Sequence, residues 1–359
     1  MLDIPSRRQV MEEQHQAGGR VAAVFPIHYP RALLQAHGFL PIEVWGPPGT
    51  DVGEADAHLQ SYVCDIVRRG LGFVLAGGLR DCDCLLVPHG CDSLQGLGSI
   101  LLDFHHPGLP VLTFYLARGE GPAALDFTVA ELAGLSQALA DISGRPLDEQ
   151  AWNRHLEIEV AAEAALARLW RERRQLELDN AELYRLLRCR NYLAADRFRE
   201  LLDKVLDRHR GAAPGQKAIL LGGIVAEPVG LLEVIDRAGG LVVGDAGCNL
   251  GRRLYRAVDD EPDPARRQAR RLLGGPPDAT RGAAPSRIAE HLLEQAAGSG
   301  ARALVVTNPK FCEPELFVLP EVTRLLEAAG LRVLVLELEL SRDLPAAAAN
   351  RLEAFLETL

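Results

Sequence analysis

ALVVTNPKFCEP, residues 303–314, reads as a buried strand that ends at a turn and restarts as a helix. Ala303–Val306 are apolar without alternation, the pattern of a strand covered on both faces. Thr307, Asn308 and Pro309 close the run. Pro314 then suits the first turn of a helix, where its missing N–H leaves no bond unmade. DCLLVPH (83–89), followed by GCD, repeats the design.

Working outward, VAAVFP (21–26), PIEVWG (41–46) and PVLTFYL (110–116) extend the first set of strands. AILLGG (218–223), GLVVGDA (240–246) and RVLVLELEL (332–340) extend the second. Helical patterns separate them at 30–37, 55–69, 229–238, 285–297 and 313–329. Continuous apolar strands alternating with helices predict α/β architecture with parallel sheets covered on both faces. Between the two sets the character changes. Residues 148–190 are rich in Ala, Leu, Glu and Arg, with Leu166, Leu169, Trp170 and Leu176 at helical spacings. HRGAAPGQK (209–217) reads as a linker. The expected division is an N-terminal α/β domain over 1–120, a helical segment over 121–212 and a C-terminal α/β domain over 213–359. Ligands in open α/β sheets gather at the carboxyl ends of strands, so a site is expected there.

The chain has 359 residues, 48% apolar and 25% charged, a globular balance sufficient for two or three domains. Its 39 basic against 49 acidic residues argue against a dedicated nucleic-acid or anionic-membrane binder. The polar opening resembles no export signal, and no run approaches the roughly 18 apolar residues of a bilayer span. Seven scattered cysteines suggest reduced thiols in a cytoplasmic protein rather than a disulfide framework.

Cys64 lies in QSYVCDIVRR, within a predicted helix. Cys91 and Cys312 follow strands, each at a strand-to-helix turn. Helix N-termini offer unpaired N–H groups and a positive dipole end, which favour the thiolate that binds soft metals and iron–sulfur clusters. Burial as small hydrophobes is the competing explanation for each of the three. Cys82, Cys84 and Cys189 are read as packing residues. Cys248, on the glycine-rich turn GDAGCNLGRR, fits either reading. No ferredoxin or zinc-finger spacing is present, no GxxxxGK[ST] loop exists, and Gly222–Gly223 lacks a GxGxxG continuation.

VAAVFPIHYPRALLQAHGFLPIEVWG (21–46), SYVCDIVRR (61–69), DCDCLLVPHGCDSL (81–94), GGIVAEPVGLLEVIDRAGGLVVGDAGCNLGRR (222–253) and the segment 308–340 around KFC occur in a telling order. Together they resemble the D-component family of 2-hydroxyacyl-CoA dehydratases, which includes benzoyl-CoA reductase subunits. The resemblance implies two Rossmann-like domains joined through helices, with an oxygen-sensitive [4Fe–4S] cluster between them. It maps the three cluster cysteines onto Cys64, Cys91 and Cys312. It also implies a homologous second subunit in a heterodimer, an ATP-hydrolysing iron–sulfur activator protein and an acyl-CoA substrate. One low-potential electron on the thioester carbonyl gives a ketyl-type radical, which opens a dehydration or ring reduction that ordinary bases and hydrides do not reach.

The resemblance assigns no catalytic residue. His28 and His89, at strand ends, are candidate proton donors or structural histidines, and Asp92, Glu227 and Glu313 are candidate caps. RRLYR (252–256) and ARRQARR (265–271) read as solvated helix faces or as contacts for CoA phosphates. Related double-cubane proteins carry a further cysteine in the segment corresponding to FPIHYP, which here has none, although Cys84 and Cys248 remain available. An electron relay that never meets substrate, and a non-redox α/β protein with core cysteines or zinc, are the alternatives.

Overall fold

A computed structural model describes residues 3–25, 27–208, 210–340 and 343–359, and within it all eight expected strands form. Pro26, read as the end of the first strand, and His209, read as the start of the linker, lie outside the described residues. The chain divides into two compact units. One comprises 1–163, 189–198 and 255–275, the other 164–188, 199–254 and 276–359. The expected helical segment is thus shared between the units.

The first unit contains β1 (Arg20–Val24), β2 (Phe39–Glu43), β3 (Cys84–His89) and β4 (Val111–Tyr115), in the order β2-β1-β3-β4. The second contains β5 (Lys217–Gly223), β6 (Gly240–Gly247), β7 (Ala303–Pro309) and β8 (Arg332–Leu338), in the order β6-β5-β7-β8. Within the two sheets every strand pairing among the described residues is parallel. Both are Rossmann-like α/β sheets with the same topology. The strand order reverses between β1 and β3 in one, and between β5 and β7 in the other. Those switch points are where the carboxyl ends of an open parallel sheet leave a crevice. At the end of β5, Gly223 has φ +114°, and a Cβ there would fall 1.9 Å from the Thr307 carbonyl oxygen, so only glycine fits.

β1 to β3 and β5 to β7 are buried under packed helices, while the edge strands β4 and β8 are only partly buried. In the first unit, Ala22, Val24, Leu86 and Phe114 meet Leu132, Leu135 and Leu139 of the Pro122–Ser143 helix. In the second, Leu220, Leu304 and Val306 meet Ile288 and Leu292 of the Pro285–Ser299 helix and Leu319, Val322 and Leu326 of the Glu313–Ala328 helix.

Two expected helices are interrupted. Residues 55–69 form a short turn of helix at Gly53–Asp56 and restart at Asp65–Leu75. Asp65 favours that restart, as a carboxylate in the first turn and through its 2.8 Å ion pair with Arg69 one turn on. Residues 148–190 run as Glu149–Glu172 and then restart at Asn180–Leu187, where the Asp179 side chain accepts from the Glu182 amide.

Candidate cysteine sites at helix N-termini

In the first unit, Cys64 is the residue on which the Asp65–Leu75 helix begins, with extended dihedrals of φ −64° and ψ 150°. This corrects its expected place inside a helix. Its carbonyl accepts from the Val67 and Arg68 amides. Burial pushes the Cys64 thiol up to about 12, and the nearby Cys91 thiol adds to the shift. The Val67 and Ile66 amides pull the other way. Cys91 begins the Asp92–Ile100 helix from the same extended region, two residues after β3 ends. The turn between them is tight, since a Cβ on Gly90 would collide with the Ile27 side chain. Two of the expected ligands therefore occupy neighbouring helix starts in this unit.

In the second unit, Cys312 begins the Glu313–Ala328 helix, three residues after β7 ends. The Cys312 amide donates to the Pro309 carbonyl at 3.0 Å, closing the turn. Phe311 within it has φ +63°. A bulky side chain in the left-handed region costs roughly 1–3 kcal/mol, and such strain collects at ligand clamps and switches. Cys91 and Cys312 thus follow topologically equivalent strands, β3 and β7.

All seven cysteines are thiols, in no disulfide. Cys84 is fully buried in the first unit's core and Cys82 is half-buried. Cys189 is buried, with Sγ 3.5 Å from the Tyr192 hydroxyl. Cys248 is buried in the second unit and donates to Asp278 Oδ2 at 3.8 Å. Burial, followed by the negative charge of Asp278, holds its thiol well above the ordinary range. Within either unit, among the described residues, no three His, Cys, Asp or Glu side chains form a ready-made metal site.

The remaining candidates resolve one by one. His28 is buried, and its Nδ1 lies 2.8 Å from the Tyr255 hydroxyl. His89 stacks edge-on against Tyr115 with ring centroids 4.8 Å apart, and burial lowers its pKa. Asp92 is exposed, 3.6 Å from Arg118. Glu227 pairs with Arg188 at 2.6 Å, and burial raises its carboxyl. Glu313 occupies the first turn of the Cys312-capped helix.

The basic stretches are not simply solvated faces. Arg252, Arg253 and Arg271 turn inward. Arg252 meets both Glu315 and Asp278, and Arg271 meets Glu163 at 2.8 Å. The latter pair belongs to a network that the sequence did not announce. Arg31, Arg190 and Arg271 are buried with Glu43, Glu159 and Glu163, three arginines against three glutamates. Burying that many charges is tolerable only when each is paired.

Residues 26–359 match the family described as 2-hydroxyglutaryl-CoA dehydratase, D-component. The chain is 22% identical to the beta subunit of lactoyl-CoA dehydratase from Anaerotignum propionicum, over 96% of this chain and 93% of that protein. It is 25% identical to a benzoyl-CoA reductase subunit from Thauera aromatica, over 89% and 85%. To the beta subunit of (R)-2-hydroxyglutaryl-CoA dehydratase from Acidaminococcus fermentans it is 24% identical, over 99% and 96%.

Proposed function

The chain belongs to the 2-hydroxyglutaryl-CoA dehydratase D-component family, and on that premise we propose that it is the iron–sulfur subunit of a cytoplasmic 2-hydroxyacyl-CoA dehydratase or benzoyl-CoA reductase. In this reading Cys64, Cys91 and Cys312 hold a [4Fe–4S] cluster. The observation that carries it is the placement of all three cysteines at the residue from which a helix starts, two of them just after the topologically equivalent strands β3 and β7.

The donor set fits the group. Three thiols are the soft ligands an iron–sulfur cluster takes, and a helix start compensates the charge of a thiolate. A Cys64 thiol held high by burial is a poor nucleophile in solution. As a metal ligand it loses its proton on binding, because the cation supplies the missing countercharge. When bound, such a cluster supplies single electrons at low potential, the input that ketyl-radical chemistry on an acyl-CoA thioester requires. The chain's own part is to hold the thiolates at helix starts, two of them just past the carboxyl ends of strands, and to keep water from the site.

The relatives are named as subunits, which supports a homologous partner subunit in a heterodimer. With no phosphate-binding loop in the sequence, ATP hydrolysis falls to a separate iron–sulfur activator protein. No helix among the described residues is long and apolar enough to cross a membrane. The double-cubane and electron-relay reading draws on Cys84 and Cys248 for extra ligands. Cys84 is packed in a core and Cys248 is bonded to Asp278, so both are otherwise engaged.

Iron and acid-labile sulfide analysis after anaerobic reconstitution tests the assignment. About four of each per chain is expected for one such cluster. Protein that takes up no iron, or takes up one zinc instead, overturns it.

A further inference from the structure

Asn308 is 1% exposed, and neither its Oδ1 nor its Nδ2 has a hydrogen-bond partner among the described residues. A buried carboxamide in that state forfeits its interactions with water and gains nothing in return, and native proteins rarely leave such groups unanswered. Its place in the fold indicates what answers it.

Successive side chains of a strand alternate between faces. Asn308 therefore shares the face of β7 that carries Leu304 and Val306, and those two pack against Leu319, Val322 and Leu326 of the Glu313–Ala328 helix. Helical periodicity carries that inward stripe back through Glu315, which is buried, to Cys312 at the helix start. Asn308 and Cys312 thus stand together at the same end of the same sheet–helix interface. Glu315, the other polar group on the stripe, is committed to Arg252 through both carboxylate oxygens. The turn that joins Asn308 to Cys312 is the one that holds Phe311 at φ +63°. A buried amide with no partner among the described residues therefore lies at the same end of the interface as a helix N-terminus and a thiol.

We propose that the Asn308 carboxamide donates a hydrogen bond from Nδ2 to sulfur at the Cys312 corner of the bound cluster and thereby sets its reduction potential. The proposal rests on the cluster assignment made above. Adding an electron makes the cluster more negative, so an N–H dipole aimed at sulfur stabilises the reduced form more than the oxidised one. Hydrogen bonds to sulfur are among the general determinants of cluster potential. Asn308 is a positioning and tuning residue in this role and touches no substrate.

The test uses the full chain, reconstituted anaerobically with ferrous iron and sulfide and titrated with titanium(III) citrate under optical and EPR detection. Asn308→Leu, close in size and without a donor, should keep wild-type iron. Its ratio of reduced to oxidised cluster at a fixed potential should fall roughly tenfold, a negative shift of ~59 mV for one electron. Before iron is added, its thermal midpoint should match or exceed that of wild type, because an unanswered amide has been removed. Asn308→Asp should also shift the potential negative, since it exchanges a donor for an acceptor.

Unchanged potentials in both variants, with iron retained, overturn the proposal. So does an iron-free Asn308→Leu that is less stable than wild type, which would mark the amide as a structural group answered by water. If both variants lose iron yet remain folded, the amide anchors the cluster rather than tuning it, and the proposal is wrong as stated. Wild-type protein without iron would instead remove the cluster assignment itself, so the two failures are distinguishable.

Discussion

The guanidinium of Arg252 holds the carboxylate of Glu315 through two contacts, Nη1 to Oε1 at 2.5 Å and Nη2 to Oε2 at 3.2 Å. Both side chains are nearly excluded from water. Asp278 adds a third contact to Nη1 at 3.4 Å. The pair ties the first turn of the Cys312-capped helix to the segment after β6, and so fixes the direction of that helix start. Stranding a buried charge altogether costs about 3–5 kcal/mol, but Asp278 stays beside Arg252 when Glu315 is removed. Glu315→Ala is therefore expected to lose about 1–3 kcal/mol in urea denaturation. Glu315→Gln should lose less, because it keeps an acceptor for Arg252. Equal stability of Glu315→Ala and wild type would contradict this account.

Asp245 organises the turn that follows β6. Its Oδ1 accepts from the Gly247 and Gly251 amides, each at 2.8 Å, and its Oδ2 accepts from the Tyr184 hydroxyl at 2.5 Å. Tyr184→Phe deletes one of these bonds and should cost about 1–2 kcal/mol. Asp245→Ala leaves two buried amides and a buried hydroxyl unanswered and should cost at least twice as much. Thermal denaturation of the two variants decides the order. A reversal would mean that the hydroxyl, not the turn, dominates.

Glu163 predicts a pH dependence with a defined sign. It lies 2.8 Å from Arg271 and 3.1 Å from Arg190, with Glu159 nearby. Its carboxyl is nonetheless pushed up from 4.5 to about 7, burial outweighing the pull of the two arginines. A carboxyl whose pKa rises on folding contributes stability in its protonated form. That contribution is complete below the ordinary carboxyl range and is lost as pH rises through about 7. Wild type should therefore lose stability relative to Glu163→Gln between about pH 5 and about pH 8. Parallel stability curves across that range would refute the shift.

The cysteines separate by iron content. Serine at Cys64, Cys91 or Cys312 should deplete the cluster, since losing one thiolate leaves an iron poorly held. Serine at Cys84 or Cys189, both fully buried, should leave iron near wild type and cost about 1–3 kcal/mol of stability. Cys248 is expected to behave like this second group, because its thiol is already engaged with Asp278. Loss of iron in Cys248→Ser equal to that in Cys64→Ser would point to a fourth thiolate and favour the electron-relay reading.

Turnover tests the partnership. The chain alone, given ATP and a chemical reductant, is expected to be inactive on an acyl-CoA. Activity should require a homologous second subunit and an ATP-hydrolysing activator. Turnover by the isolated chain would remove both partners from the proposal.

The sequence by itself determined the eight strands, the two parallel sheets and the strand-end positions of Cys91 and Cys312. These are local matters. An apolar run of strand length, closed by glycine or proline and followed by a helical period, carries its reading within about a dozen residues. It missed the break before Asp65 because the apolar period passes through residues 55–69 with no glycine or proline to interrupt it until Gly70. Only the tertiary structure decided what distant residues do to one another. Arg252 and Arg271, read as solvated faces or CoA contacts, proved to turn inward onto carboxylates that lie 63 and 108 positions away in sequence. Asn308 looked like the polar end of a strand. Its unanswered amide emerged only when burial and hydrogen bonding were known together, since whether a polar group is satisfied depends on every neighbour that folding brings to it.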